Sequence, residues 1–362
     1  MGARTRGLAN NVLTSGKLDA TDAVSGVIPA DNIANASLTN CTTYGSVSGG
    51  IPAVSSDPPS PSEGDIWYNT TTGKIRFRAQ AGSWASGGNL NTGRSQSGCD
   101  GTQTSTLVAS GNAGGSPLTT TAVETYNGSS WTEVGDVNTA RRIGGSTADD
   151  STAGLFFGGW ILSGNANSAL NESWNGSAWT EVGDINTSRG FIAGAGNATA
   201  ALAFGGGPPG GNYGNETEVW NGSSWTEVNN LNTQRYAAGG GGGTSTAAII
   251  SGGAVSGGQT ANTETWNGSS WTEVNNMSTA RKHFLTTGDT TNALAAGGEH
   301  TTQVATSETF NGTSWSNIDD MATGRHYLFG AGTGTAGIAV GGDPGRNISE
   351  EWTFGASSFD VG

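Results

Sequence analysis

Short apolar runs closed by paired glycines recur along the chain: LFFGG ending at Gly158-Gly159, LAFGG at Gly205-Gly206, AIISGG at Gly252-Gly253, ALAAGG at Gly297-Gly298 and GIAVGG at Gly341-Gly342. LVASG is an altered first copy. Short apolar runs without alternation predict strands buried on both faces. The Gly pair predicts a turn where any side chain would clash with neighbouring backbone. A mixed segment such as RRIGGSTADD precedes the run and predicts a first strand with its loop. After a variable loop comes a third strand bearing Glu and an aromatic residue, then Asn-Gly. Asn-Gly is the strongest short hairpin signal, since a type I′ turn needs positive φ at both central residues. A fourth strand starts at Trp and continues TEV.

The third and fourth strands share one motif: ETYNGSSW (residues 124–131), ESWNGSAW (172–179), EVWNGSSW (218–225), ETWNGSSW (264–271) and ETFNGTSW (308–315). A worn copy, EEWTFGASSF, spans residues 350–359, with Phe359 in the place of Trp. Trp84, Trp131, Trp179, Trp225, Trp271 and Trp315 lie 47, 48, 46, 46 and 44 residues apart, and an Arg follows each by ten residues. Such a period marks a repeat architecture, and four antiparallel strands per period describe a β-propeller blade. The expected fold is all-β, with six four-stranded blades by direct count. It becomes seven if the hairpin before Trp84 completes a further blade with C-terminal strands.

Residues 1–62 differ from the rest. VLTSGKLDATDAVSGVIPADNIANASLTN has no helical period, and Pro52, Pro58, Pro59 and Pro61 then give an extended, semi-rigid connector. This segment is expected to be an N-terminal anchor and oligomerisation element, with the repeat domain spanning residues 63–362. Within that domain residues 63–90 are the lead-in hairpin: Ile66, Trp67 and Tyr68 on one strand, TTTG as the turn and KIRFR as the second strand.

Repetition assigns most unusual residues to structure. A large aromatic repeated once per copy is normally core, so the Trp series is expected to pack across its hairpins or into the neighbouring blade, with sugar stacking as the alternative. The Arg series (Arg94, Arg141, Arg189, Arg235, Arg281, Arg325) and the Glu series (Glu124, Glu172, Glu218, Glu264, Glu308, Glu350) would form two rings whose pairing satisfies buried charge. What varies is the loop after each Gly pair, and there Trp160, Tyr213, His300 and Arg346 are the residues suited to contact a ligand.

Composition narrows the function. The net charge of −14 and the lack of any basic stripe disfavour nucleic acid and anionic membranes. No apolar run reaches the ~18–20 residues of a membrane span. Cys41 and Cys99 supply neither a disulfide framework nor a zinc site. His283, His300 and His326 have no metal-ligand spacing, and no nucleophile elbow, phosphate loop or zinc-protease motif occurs. No catalytic residue, metal or cofactor is expected. The N-terminus MGARTRGLANNVL lacks a signal-peptide core, so synthesis in a cytosol is expected, and the Asn-x-Ser/Thr sequons read as turn asparagines.

A Gly doublet, Glu-x-aromatic, Trp and an Arg opening the next strand resemble the kelch repeat, over about residues 65–359. That resemblance implies a propeller and little about activity, since kelch propellers include enzymes, adaptors and binders. Kelch-type copper-radical oxidases need Tyr, Cys and His ligands that no motif here assembles. MGARTRGLANNVLTSGKLDATDAVSGVIPADNIANAS resembles the leading segment of tailed-bacteriophage tail fibres, particularly those of phages of aquatic bacteria, and PSPSEGDIWYNTTTGKIRFRAQAGSW is similar to a hairpin unit of phage structural proteins. These resemblances imply a virion protein, a tail fibre attached to other virion proteins through residues 1–62. It would be a homo-oligomer, with a trimer favoured, and its propeller would bind a host-surface glycan or protein. A non-receptor virion component (capsid decoration or tail accessory protein) and a cellular kelch-type interaction module are the alternatives.

Overall fold

The computed structural model describes residues 51–58, 66–207 and 213–361. Most of the expected anchor, with Cys41, Pro59 and Pro61, lies outside the described residues, as do residues 208–212 of the loop before Tyr213. The described residues are all-β, with no helix among them. They fall into two compact units, one from the described residues before 80 with 357–361, the other from those between 80 and 356.

In the smaller unit Ala53–Val54 runs parallel to Ile66–Asn69, which pairs antiparallel with the strand starting at Lys74. Asp57 organises it. Its carboxylate accepts from Trp67 Nε1 at 2.9 Å and Asn69 Nδ2 at 2.8 Å, and it pairs with Arg76. The Trp67 and Asn69 bonds hold the Asp57 carboxyl below its ordinary pKa.

The described part of the larger unit contains five four-stranded antiparallel sheets, two short two-stranded ribbons and the strands of a sixth, larger sheet that continues into Lys74–Ser86, consistent with a propeller-like fold. The innermost strands of the six sheets are Gly98–Thr102, Gly145–Asp150, Ala193–Gly196, Gly239–Thr244, Leu285–Gly288 and Phe329–Gly332. Each of these touches the next, and the last touches the first. The apolar runs form the second strand of each sheet. Ala201–Phe204, for example, is buried at every position between Ala193–Gly196 and Thr217–Trp220. Side chains from adjacent sheets interdigitate: Phe204 and Leu202 of one meet Ile250, Trp266 and Trp271 of the next.

The innermost strands are poor in side chains because they converge. A methyl group on Gly242 would collide with the carbonyl oxygen of Gly288, and one on Gly239 with Phe284 and Thr286. The pentaglycine 239–243 is therefore a strand, with room for no side chain at Gly239 or Gly242.

The Asn-Gly turns differ from the type I′ expectation. Gly176 has φ 89°, but Asn175 is not in the positive-φ region. A four-residue loop joins Trp174 to its cross-strand partner Trp179, and the Asn175 side chain closes it, accepting from the Ser177 and Ala178 amides at 3.0 Å each. Asn acts here through its carbonyl oxygen, as in an Asx turn. The same bonds recur at Asn127, Asn221, Asn267 and Asn311.

The last sheet corrects the reading of the worn copy. Ser349–Val361 is one continuous strand with no hairpin. Its neighbour in the sheet is the strand Lys74–Ser86. Within the larger unit Trp84 lies 5.7 Å from Trp352 between ring centroids, and the Gly87 amide donates to Ser349 O at 2.9 Å. Trp84 thus takes the fourth-strand position that the C-terminal copy lacks.

Candidate functional site

Each repeat Arg is buried and meets the Glu of the sheet that follows it. Arg141–Glu172 is 2.6 Å, Arg189–Glu218, Arg281–Glu308 and Arg325–Glu350 are 2.9 Å, and Arg94–Glu124 and Arg235–Glu264 pair likewise. The guanidinium also donates to main-chain oxygens, as Arg235 does to Gly252 O (3.1 Å) and Asn262 O (2.7 Å). The second Glu oxygen accepts from the loop before the Arg, as Glu264 does from the Asn232 amide at 2.8 Å. Burial pulls every one of these arginines below its ordinary pKa, and its Glu opposes that pull. The hairpin aromatics pack as pairs: Trp174–Trp179 at 5.5 Å, Trp220–Trp225 at 5.4 Å and Trp266–Trp271 at 5.5 Å.

That framework fixes the residue two places after each Arg. Gln96, Ile143, Phe191, Ala237, His283 and Tyr327 all adopt left-handed backbone, with φ between 51° and 60°. Five hydrogen bonds link them in sequence. Ile143 N donates to Gln96 O (2.8 Å), Phe191 N to Ile143 O (2.7 Å), His283 N to Ala237 O (2.8 Å), Tyr327 N to His283 O (2.8 Å), and Gln96 N returns to Tyr327 O at 3.0 Å. Left-handed backbone costs an ordinary residue about 1–2 kcal/mol, and more when it is β-branched like Ile143. Gly is the cheap solution, in a chain with 62 of them, yet none stands at these positions.

The ring surrounds a cavity of about 130 Å³ lined by the starts of five innermost strands and by Ala237 and Ala238, just before the sixth. Phe191, Tyr236, His283, His326 and Tyr327 cluster at one side of it. His283 lies 4.0 Å from Tyr327 and 5.5 Å from Phe191 between centroids, and Phe191 lies 5.3 Å from Tyr236. The His283 side chain is only 7% exposed, with Glu299 Oε2 at 3.5 Å from Nδ1, and neither ring nitrogen has a hydrogen-bond partner. Gln96 Oε1 is likewise buried without one. Burial, with Lys282 and His326 nearby, pushes the His283 pKa down to about 3, so the ring is neutral.

Asp100 also lines the cavity, and a second cavity of about 410 Å³ at the far ends of the innermost strands. Desolvation pushes its pKa up to about 8 against the bond donated by the Gly101 amide, with Asp149 adding to the rise. Burial also raises the Cys99 thiol well above its ordinary value.

The four loop residues singled out from the sequence are dispersed. Tyr213 joins the aromatic cluster, stacked on Tyr236 at 5.3 Å. Trp160 is half-buried and held by main-chain bonds to Arg142. His300 is exposed, with Nδ1 at 2.8 Å from Ala280 O. Arg346 is engaged by Asp343 and by Asn112 O at 2.9 Å, a bond between the ends of the repeat array. The loops and the ring share one face, because the residue after each Gly pair bridges to the residue after each Arg, as Tyr236 does with Ala254 and Lys282 with Glu299. Sequence reasoning missed the ring. Aligning the copies on Arg (RSQ, RRI, RGF, RYA, RKH, RHY) exposes six different residues at one register.

Among the described residues no group of His, Cys, Asp and Glu is placed to hold a metal ion, and no helix is long and apolar enough to cross a membrane. Comparison with protein-family models finds no match to this chain, and comparison with curated proteins finds none.

Proposed function

We propose that the chain is a kelch-like propeller of six blades, the last completed by the strand bearing Trp84, and that it is a non-enzymatic binding protein of a phage virion. Its propeller presents the ring face to a host-surface receptor, and residues 1–62 attach it to other virion proteins in a homo-oligomer. The observation that carries the binding reading is the contrast on one face. The Arg, Glu, Trp and Gly-pair positions repeat, while the strained register two residues after Arg carries six different side chains around a cavity. Strain held at a variable, concave site is characteristic of recognition surfaces. The phage assignment rests on the resemblance of residues 1–84 to tail-fibre segments.

Adsorption tests it. Host cells preincubated with the purified full chain should take up less phage. A chain that neither binds host cells nor competes would instead favour a virion component without receptor contact.

A further inference from the structure

We propose that the cavity mouth framed by Phe191, His283, Tyr327 and Gln96 is a binding site for one neutral pyranose unit of a glycan. This deepens the receptor-binding reading and rests on it, naming the chemistry of the ligand.

Size comes first. A cavity of about 130 Å³ has room for about four waters at ~30 Å³ each, well below the ~300 Å³ where pockets for drug-sized ligands begin. It suits one small ring inserted from outside, with the remainder of the ligand on the open face.

Surface chemistry comes second. Phe191, Tyr236 and Tyr213 form a continuous aromatic strip, successive centroids 5.3 Å apart, and Tyr327 stacks toward Phe191 at 6.5 Å. A pyranose has an apolar C–H face that covers such rings while its rim hydroxyls stay polar. Phe191, Tyr213, Tyr236 and Tyr327 are half-buried, with surface left to contact a ligand.

Polar complementarity comes third. His283 presents two ring nitrogens and Gln96 one carbonyl oxygen, all buried and without partners. An orphaned buried polar atom costs about 1–3 kcal/mol, and a hydroxyl, which both donates and accepts, satisfies an imidazole nitrogen and an amide oxygen equally well. A carboxylate or phosphate suits the site poorly. The His283 ring is neutral, Glu299 stands 3.5 Å from it, and Lys282 is engaged by Glu299 at 3.5 Å.

The chain has three histidines, so imidazole resonances report directly. Methyl α-D-glucopyranoside and methyl α-D-mannopyranoside are titrated separately into the full chain, followed by histidine-selective NMR. At least one should shift His283 saturably and leave His300 in place. Phe191→Gly, which suits the left-handed backbone, should weaken binding about tenfold, roughly 1.4 kcal/mol. Phe191→Leu carries the same test should the Gly variant fail to fold. Absence of a saturable His283 shift with both glycosides overturns the site, as does a shift that persists undiminished without the Phe191 ring or moves His300 equally. Adsorption competition reads the virion role separately, so either can fail while the other stands.

Discussion

At the residue scale the chain places its charges where they must be paired. Six Arg–Glu pairs lie out of water, each guanidinium and carboxylate completed by main-chain groups. Such a pair says little for stability against an apolar replacement, but breaking it strands a charge at a cost of about 3–5 kcal/mol. Arg235→Ala should lower the urea unfolding free energy by that order, and an unchanged midpoint would contradict the buried pairing. Two groups lining the cavity give opposite pH dependences. Asp100 holds its proton up to about pH 8 when folded but only to the ordinary aspartate value of 3.8 when unfolded. The native state therefore binds more protons between those values, and the Asp100 contribution to stability falls as pH rises from about 4 to 8. His283 is neutral down to about pH 3 when folded against 6.5 unfolded, so its contribution is lost as pH falls from 6.5 toward 3. Asp100→Asn should flatten the alkaline side of a thermal-melt profile run from pH 4 to 9. A profile unaltered on that side would show that Asp100 ionises normally.

At the element scale the innermost strands and the last sheet carry the sharpest constraints. Gly242→Ala drives a methyl into the Gly288 carbonyl and should cost several kcal/mol, in the range of severe backbone and packing defects. Gly115→Ala, with nothing within 4 Å of the added carbon, should stay within about 0.5 kcal/mol; similar losses in both variants would refute the close approach. Trp84 is half-buried, packs on Trp352 and donates Nε1 to Asp319 O at 3.0 Å. Its truncation to Ala should cost about 2–3 kcal/mol, somewhat below the ~3–5 of a fully buried aromatic. A calorimetric melt checks this, and an unshifted transition would deny that this strand completes the last sheet.

At the scale of the whole molecule, much of the strand pattern was legible because repetition amplified it. Trp, Arg and Glu recur at fixed intervals, and pairs such as Trp220–Trp225 and Arg189–Glu218 lie where the hairpin and the crossing loop bring those intervals together. Three features were not legible, each for a physical reason. The pentaglycine gave no strand signal because what excludes a side chain at Gly242 is the Gly288 carbonyl of another sheet, which no local pattern records. The C-terminal motif looked like a worn third and fourth strand but forms one continuous strand; its pairing with the other chain end was itself legible, since the count of seven already joined the hairpin before Trp84 to C-terminal strands. The ring around the cavity shares no chemistry among its six members, and a common left-handed backbone leaves no mark on composition. Its only trace is a register two residues beyond Arg, which acquires meaning once the innermost strands are seen to meet.

Adsorption tests whether this ring face receives the host receptor. Host cells are preincubated with equal concentrations of the purified full-length chain or its Phe191→Gly variant, and residual phage adsorption is measured. The native chain should block adsorption, and the variant, still folded, should need about tenfold more protein for the same block, roughly 1.4 kcal/mol of lost binding. Equal blocking by both chains, or blocking by neither, would contradict it.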